Sequence, residues 1–330
     1  MADGQILSGV ARRLDESIVF RALAFVTERH FRAVVALVLL SLVVFLPGIA
    51  TIPPIDRDEP RFAQATKQML ETGDYIDIRL QDEPRYKKPV GIYWLQATLV
   101  TLTGQGPEAG IWAYRLASVL GAVAAVLLTY WAVLPLFGRR AAFVAAAAMA
   151  LSLILSVEAH LAKTDATLLA TVLLAQGALA RAYLPPGGGR APLSTALLFW
   201  VAIGLGILVK GPVIVMISGL TIAALSALDR RFAWLKGLRP LVGVPVAAAI
   251  VLPWLVAILK ISGGAFLDQS LGTDLLGKVG SGAEGHWGPP GLHFVLFWFI
   301  FFPAVVLVPL AIPFVWRNRG LASVRFCLAW

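Results

Sequence analysis

From residue 33 to residue 316 the sequence is a series of apolar segments separated by short polar stretches. A segment of about 20 apolar residues crosses the hydrocarbon core of a bilayer as a helix. Inside lipid the backbone must satisfy its own hydrogen bonds, which helices do within one segment. The expected fold class is therefore all-α, a polytopic transmembrane helical bundle. Composition agrees. Hydrophobic residues make up 58% of the 330 and the mean hydropathy is +0.80, against about 45–50% apolar residues in a soluble domain.

Residues 1–32 carry Arg12, Arg13, Arg21 and Arg29 among apolar residues, the pattern of an amphipathic helix on the cytoplasmic membrane surface. The first apolar run begins near Ala33, too deep for a cleavable signal peptide. Residues 33–330 then form one multi-span domain. Spans are expected at 33–51, ended by Pro53 and Pro54, and at 112–137, 141–157, 166–184, 194–210, 213–228, 241–259 and 291–316. The segment from Val90 to Thr103 is too short to cross, and is read as a helix at the membrane surface. The apolar run still open at Trp330 leads us to expect a further C-terminal part.

Charge tests this topology. With the N-terminus inside, the inner segments hold 16 basic and 5 acidic residues, and the outer ones 12 basic and 14 acidic. That is the positive-inside bias. The net charge of +9 is thus topological, and nucleic acid is not implied as a partner. A single cysteine, Cys327, permits no intrachain disulfide.

The outer side carries the chemistry. The loop 52–111 holds Asp56, Asp58, Glu59, Arg61, Asp82, Glu83, Arg85, Lys87 and Lys88, and charges gathered at a membrane surface mark a functional site. Asp58 begins an expected helix with Pro60 in its first turn, Phe62, Thr66, Met69 and Leu70 on one face, and Gly73 as its stop. Asp58 serves there either as a simple N-cap or as a carboxylate that takes a proton from an acceptor. Arg61, one turn on, suits a phosphate. Lys88, held extended by Pro89, either snorkels to lipid headgroups or neutralises a lipid phosphate.

Three further outer features share this face. Glu158–Asp165 leads into a span, with Lys163 and Asp165 a local ion pair, Thr164 or Asp165 a helix N-cap, or these residues part of the site. Lys210-Gly211-Pro212 tips a tight helical hairpin, where Lys210 either snorkels or is aimed at a phosphate. The loop 260–290 contains Asp274, Lys278, Glu284 and His286. One His and one Glu do not make a metal site. GTDLLGK (272–278) has the GxxxxGK spacing but Val279 where a P-loop has Ser or Thr, GSGAEG (280–285) has the GxGxxG spacing but no Asp or Glu after it for a ribose, and there is no HExxH, so a soluble nucleotide is not supported as the source of sugar or energy.

Together the strings RDEPRFAQATKQMLETGDY, YKKPVGIYWLQA, the turn ending in KTD, and LVKGP resemble the lipid A aminoarabinose transferase and protein mannosyltransferase group of C-type glycosyltransferases. In that group a DExRY-type motif opens the first periplasmic loop and an EKP-type motif closes it. The resemblance implies the C-type glycosyltransferase fold in a bacterial inner membrane, with the active site facing the periplasm. It implies a polyprenyl-phosphate sugar as donor, and lipid A, another glycolipid or a protein as acceptor. It makes Asp58 the catalytic carboxylate and Asp165 the second acidic residue. Arg61, Lys88 and Lys210, joined by Lys278 of the 260–290 loop, become the lipid-phosphate-binding cations, with Glu59 and His286 accessory. Two departures matter. Lys87 stands where the family has Glu before its Lys, so a divalent metal near His286 is disfavoured and no cofactor is expected to be required. Phe62 replaces Tyr.

The chemistry is coherent without the family. Negative charge grows on the departing lipid phosphate, where fixed cations stabilise it. A single displacement would invert the sugar carbon. A transporter or flippase for an anionic lipid would use the same cations, but would need acidic residues at mid-membrane and paired repeats. Here the charges gather on one face.

Overall fold

The computed structural model describes residues 18–55, 57–185, 189–270, 272, 289 and 291–330. Lys278, Glu284, His286 and Asp274 lie outside them, as do Asp56 and residues 1–17.

Among the described residues the chain is almost wholly helical. α1 (Ile18–Glu28) lies within the expected surface segment, and α2 (His30–Phe45) follows it directly. α2 stops well before Pro53: its ladder ends at Leu46, ahead of Pro47 and of Gly48 at φ 89°. α3 (Asp58–Thr72) runs to the C-cap Gly73, whose φ of 71° is left-handed. A two-residue hairpin, β1 (Arg79–Leu80) with β2 (Glu83–Pro84), leads to α4 (Gly91–Leu102). At 12 residues α4 is about 18 Å long, well short of a bilayer crossing.

α5 (Ile111–Ala150), α7 (Asp165–Tyr183), α8 (Leu193–Lys210) and α10 (Pro240–Ser262) are long and apolar enough to cross a membrane; α9 (Val213–Asp229) is slightly shorter. α5 is not one straight rod. Forty residues would extend about 60 Å, yet Ser118 Oγ donates to the Leu161 carbonyl at 2.6 Å. The chain reverses at Gly138, where φ is 79°. The two arms share one apolar cluster with α2: Ala33, Leu37 and Phe45 of α2 lie in it with Ala142, Ala146 and Ala150 from one arm and Val119, Ala122 and Val126 from the other. Small side chains let helices approach closely in lipid. Between α7 and α9 a buried Gln176 donates to Thr221 at 3.2 Å.

Two expected spans are broken. The 141–157 span stops at Ala150 and resumes as α6 (Leu153–Ala159). The Leu153 N–H turns aside to the Phe302 carbonyl, at 3.0 Å, instead of continuing the ladder. The 291–316 span bends by 115° between its two halves. Pro303 lies at the bend and has no N–H to give. After the single turn α11 (Ala265–Leu267), this region comprises α12 (Leu292–Ile300), a short 3₁₀ stretch and α13 (Val308–Asn318). α14 (Ala322–Ala329) closes the described chain, with Arg325 paired to Asp229 at 3.1 Å.

Candidate active site

α3 carries the first group of predicted residues. Its buried face is Glu59, Phe62, Ala65, Thr66 and Met69, close to the expected stripe, with Leu70 only partly covered. Asp58 is not the N-cap. Arg57 holds that position and Asp58 is the first helical residue. There it lies 3.5 Å from Arg61 across one turn, and both side chains are partly exposed.

Glu59 has a different fate. It is fully buried against Arg115, also fully buried, with Nε to Oε1 at 2.7 Å and Nη2 to Oε2 at 3.0 Å. Arg115 Nη1 also donates to the carbonyls of Ile49 and Ile52, and the Ala162 N–H donates to Glu59 Oε1. One bidentate pair thereby ties α3, the chain after α2, the start of α5 and the 158–165 turn into one unit. Glu59 is a structural latch and is not available to a substrate. Sequence reading passed over Arg115, although an arginine inside the apolar run IWAYRLASV signals a buried carboxylate.

Arg85 was counted among the loop charges but given no role. It is 8% exposed, donates from Nε to the Tyr93 hydroxyl at 3.2 Å, and lies over the Phe62 ring at 5.1 Å. Burial pushes the Tyr93 hydroxyl pKa up, against the pull of Arg85. Nearby, Tyr86 donates to Asp77 at 2.9 Å, and burial first, then that bond, raises its pKa to about 12. Both tyrosines stay protonated across the physiological range and hold the loop as neutral donors and acceptors.

The second group gathers around a cavity of about 410 Å³. Lys87, Lys88 and Lys210 line it together with apolar residues that include Leu208, Trp254 and Phe266. α4 and α8 cross closely there. A Cβ on Gly91 would lie 2.7 Å from the Leu208 carbonyl oxygen, so only glycine allows the approach that sets Lys88 beside Lys210. Gly211, at φ 71°, turns the chain directly after Lys210. Asp165, the first residue of α7, forms an ion pair with Lys210. Gly121 permits a second close crossing next to it, since a Cβ there would be 2.7 Å from the Thr167 nitrogen. Lys163 lies 3.9 Å from Glu158 instead.

The structure therefore unites Lys88, Lys210 and Asp165, and adds Lys87. Asp58 and Arg61 stand apart from the cavity lining, but the buried face of α3, the start of α4, Leu208, Trp254 and Phe266 share one apolar core. Among the described residues no group of three His, Cys, Asp or Glu side chains comes together to hold a metal. Chemically, the arrangement offers an apolar recess with a cationic rim, beside a helix that opens on an accessible carboxylate.

Comparison with known proteins agrees with the fold. Residues 87–256, more than half of the chain, match the family model described as dolichyl-phosphate-mannose-protein mannosyltransferase. An undecaprenyl phosphate-alpha-4-amino-4-deoxy-L-arabinose arabinosyl transferase of Pectobacterium carotovorum is 26% identical over 308 residues, covering 90% of this chain and 52% of the relative. Its counterpart in Aeromonas salmonicida is 29% identical over 226 residues, covering 68% of this chain and 40% of the relative. The chain thus spans about half the length of the curated relatives it matches. Among solved structures, ArnT from Cupriavidus metallidurans bound to undecaprenyl phosphate superposes with a TM-score of 0.76 at 23% identity, covering 90% of this chain and 53% of that one. The Archaeoglobus fulgidus oligosaccharyltransferase gives 0.61 at 17% identity, covering 90% and 45%. By the extent of the matched model, this membrane helical bundle belongs to the dolichyl-phosphate-mannose-protein mannosyltransferase family.

Proposed function

We propose that this chain belongs to a glycosyltransferase that moves a sugar from a polyprenyl phosphate to an acceptor at the outer, periplasmic face of a bacterial inner membrane. The observation that carries this reading is the convergence of Lys87, Lys88 and Lys210 on one apolar cavity. A polyprenyl phosphate needs that combination: apolar wall for the first isoprene units and cations for the phosphate. The family match and the undecaprenyl phosphate named in the Cupriavidus structure support the same ligand class.

The reaction follows from charge. The acceptor oxygen attacks the anomeric carbon as the bond from that carbon to the phosphate oxygen breaks. The electron pair leaves with the lipid phosphate, whose growing charge Lys88 and Lys210 neutralise. Asp165 fixes the Lys210 ammonium at the rim through their ion pair. Asp58, with Arg61 beside it, receives the proton of a hydroxyl acceptor, or positions an acceptor that is already ionised. A single displacement inverts the sugar carbon. Protein cations supply the phosphate charge compensation, so no metal is required in this scheme. Acceptors of the lipid A, glycolipid and protein hydroxyl classes all suit it.

The test is transfer from a radiolabelled polyprenyl-phosphate sugar in membranes carrying the full-length protein. Transfer is expected with wild type, in the presence of EDTA as well, and to fail with Lys88→Ala. Undiminished transfer by that variant would remove the cavity from the reaction. A trapped covalent glycosyl-enzyme would rule out the single displacement.

A further inference from the structure

The far end of α10 carries a second recess. The lysine-lined cavity is walled by Val251, Trp254 and Leu255, toward the C-terminus of this helix. A separate groove of about 570 Å³ lies at its N-terminus, lined by Arg190, Leu235, Lys236, Arg239, Leu241 and Val242. α10 has 23 residues and so spans about 35 Å. That is close to the thickness of a hydrocarbon core of about 30 Å. The groove therefore belongs to the opposite membrane face.

Its chemistry is uniform. Arg190, Lys236 and Arg239 supply three cations, and no carboxylate lines the groove. The sequence has no Asp or Glu from Leu184 to Leu228, nor from Arg230 to Leu267. Arg190 is fastened across the recess, donating from Nη2 to the Lys236 carbonyl at 2.7 Å. Arg239 sits in the left-handed region at φ 46°, a conformation that costs a non-glycine residue energy. Its Nε is buried and has no hydrogen-bond partner among the described residues. A buried guanidinium N–H left unpaired is costly unless a ligand completes it.

The support beneath these cations is rigid. Trp200 Nε1 donates to the Leu238 carbonyl at 2.8 Å, and the Trp200 ring fills the place where a Cβ on Gly243 would stand. The rim is apolar and open, with Leu241 92% exposed. A soluble phosphate has no use for such a rim, whereas an acyl chain does. Basic pockets at the ends of transmembrane helices bind anionic headgroups by this combination.

We propose that this groove is a binding site for an anionic glycerophospholipid of the leaflet opposite the lysine-lined cavity. The phosphate lies among Arg190, Lys236 and Arg239, and an acyl chain runs along Leu241 and Val242. This site is distinct from the donor site and does not depend on the proposed transfer reaction.

The experiment measures thermal unfolding of the full-length protein in neutral detergent with added phosphatidylglycerol, phosphatidylcholine or glycerol 3-phosphate. Phosphatidylglycerol should raise Tm by several degrees, and the other two should not. Arg190→Gln/Arg239→Gln should unfold like wild type in phosphatidylcholine and lose most of the phosphatidylglycerol shift. Arg140→Gln, which removes a cation outside the groove, should keep it. The proposal is overturned if the double variant keeps the full shift, or if phosphatidylcholine or glycerol 3-phosphate stabilises wild type equally. Should the double variant fail to fold, Lys236→Gln replaces it. It must lose at least half of the shift, and retention of the whole shift overturns the site.

Discussion

Arg115 grips Glu59 through two parallel hydrogen bonds, of 2.7 and 3.0 Å, with both side chains wholly buried. The pair joins residues 56 apart in sequence, and the remaining guanidinium donors reach the Ile49 and Ile52 carbonyls. Its position next to Asp58 makes two adjacent carboxylates do different work. One holds the chain from Ile49 to α3 in place, and the other stays accessible.

That division predicts opposite consequences for neighbouring substitutions. Glu59→Gln leaves a buried guanidinium without its counter-charge, a loss of about 3–5 kcal/mol. The yield of monodisperse protein and its Tm should both fall. Asp58→Asn removes a partly exposed carboxylate that lies 3.5 Å from Arg61, and should unfold like wild type. Equal Tm values for Glu59→Gln and wild type would show that the latch bears no stability.

Asp58→Asn should instead act on the reaction. A positioned general base contributes about 10²- to 10⁴-fold to rate, so transfer to a hydroxyl acceptor should fall by that factor. Transfer to an acceptor phosphate, already ionised, should fall by less than about tenfold, since no proton has to be removed. Assaying one purified variant against both acceptor classes therefore reports on whether Asp58 removes a proton. Wild-type rates with both would exclude Asp58 from the chemistry.

What the sequence could disclose depended on whether the physics was local. The helix from Asp58 to its glycine stop was readable because periodicity and capping act within one turn. The cations at 88 and 210 were readable as a shared face because topology follows from charge bias and span count. The Glu59–Arg115 latch was not, because nothing in local spacing pairs residues so far apart; only the oddity of an arginine in an apolar run hinted at it. The break after Ala150 was hidden for the same reason, since its cause is the distant Phe302 carbonyl. The bend in the last expected span was half visible, in Pro303.

Lys210 and Asp165 make a coupled pair at the cavity rim. Lys210→Ala should raise the donor KM and also lower Tm, because Asp165 loses its counter-charge. Adding Asp165→Asn should restore part of the lost Tm and none of the lost transfer. Measuring both quantities on the two single variants and the double closes a thermodynamic cycle. Recovery of transfer in the double variant would mean that Lys210 serves only to neutralise Asp165, and has no phosphate to bind.

Gly91 offers the sharpest geometric test, since its Cβ would meet backbone. An alanine there would put a methyl 2.7 Å from the Leu208 oxygen and 2.8 Å from the Leu208 carbonyl carbon. A main-chain carbonyl inside a helix cannot swing aside as a side chain can, so α4 must withdraw from α8. Lys88 precedes Gly91 by three residues, and Lys210 follows Leu208 by two. Withdrawal therefore opens the rim where the phosphate is held, and misplacement by even an ångström is costly in a preorganised site. Gly91→Ala should fold, unfold within a few degrees of wild type, and lose transfer at least tenfold, chiefly through donor KM. Gly73→Ala is the matching control. It has nothing within 4 Å of its would-be Cβ but sits at φ 71°, so it should lose about 1–2 kcal/mol of stability to backbone strain. Its transfer rate at low temperature should be native. A Gly91→Ala protein that transfers sugar as well as wild type would show that the spacing of Lys88 and Lys210 does not control the reaction.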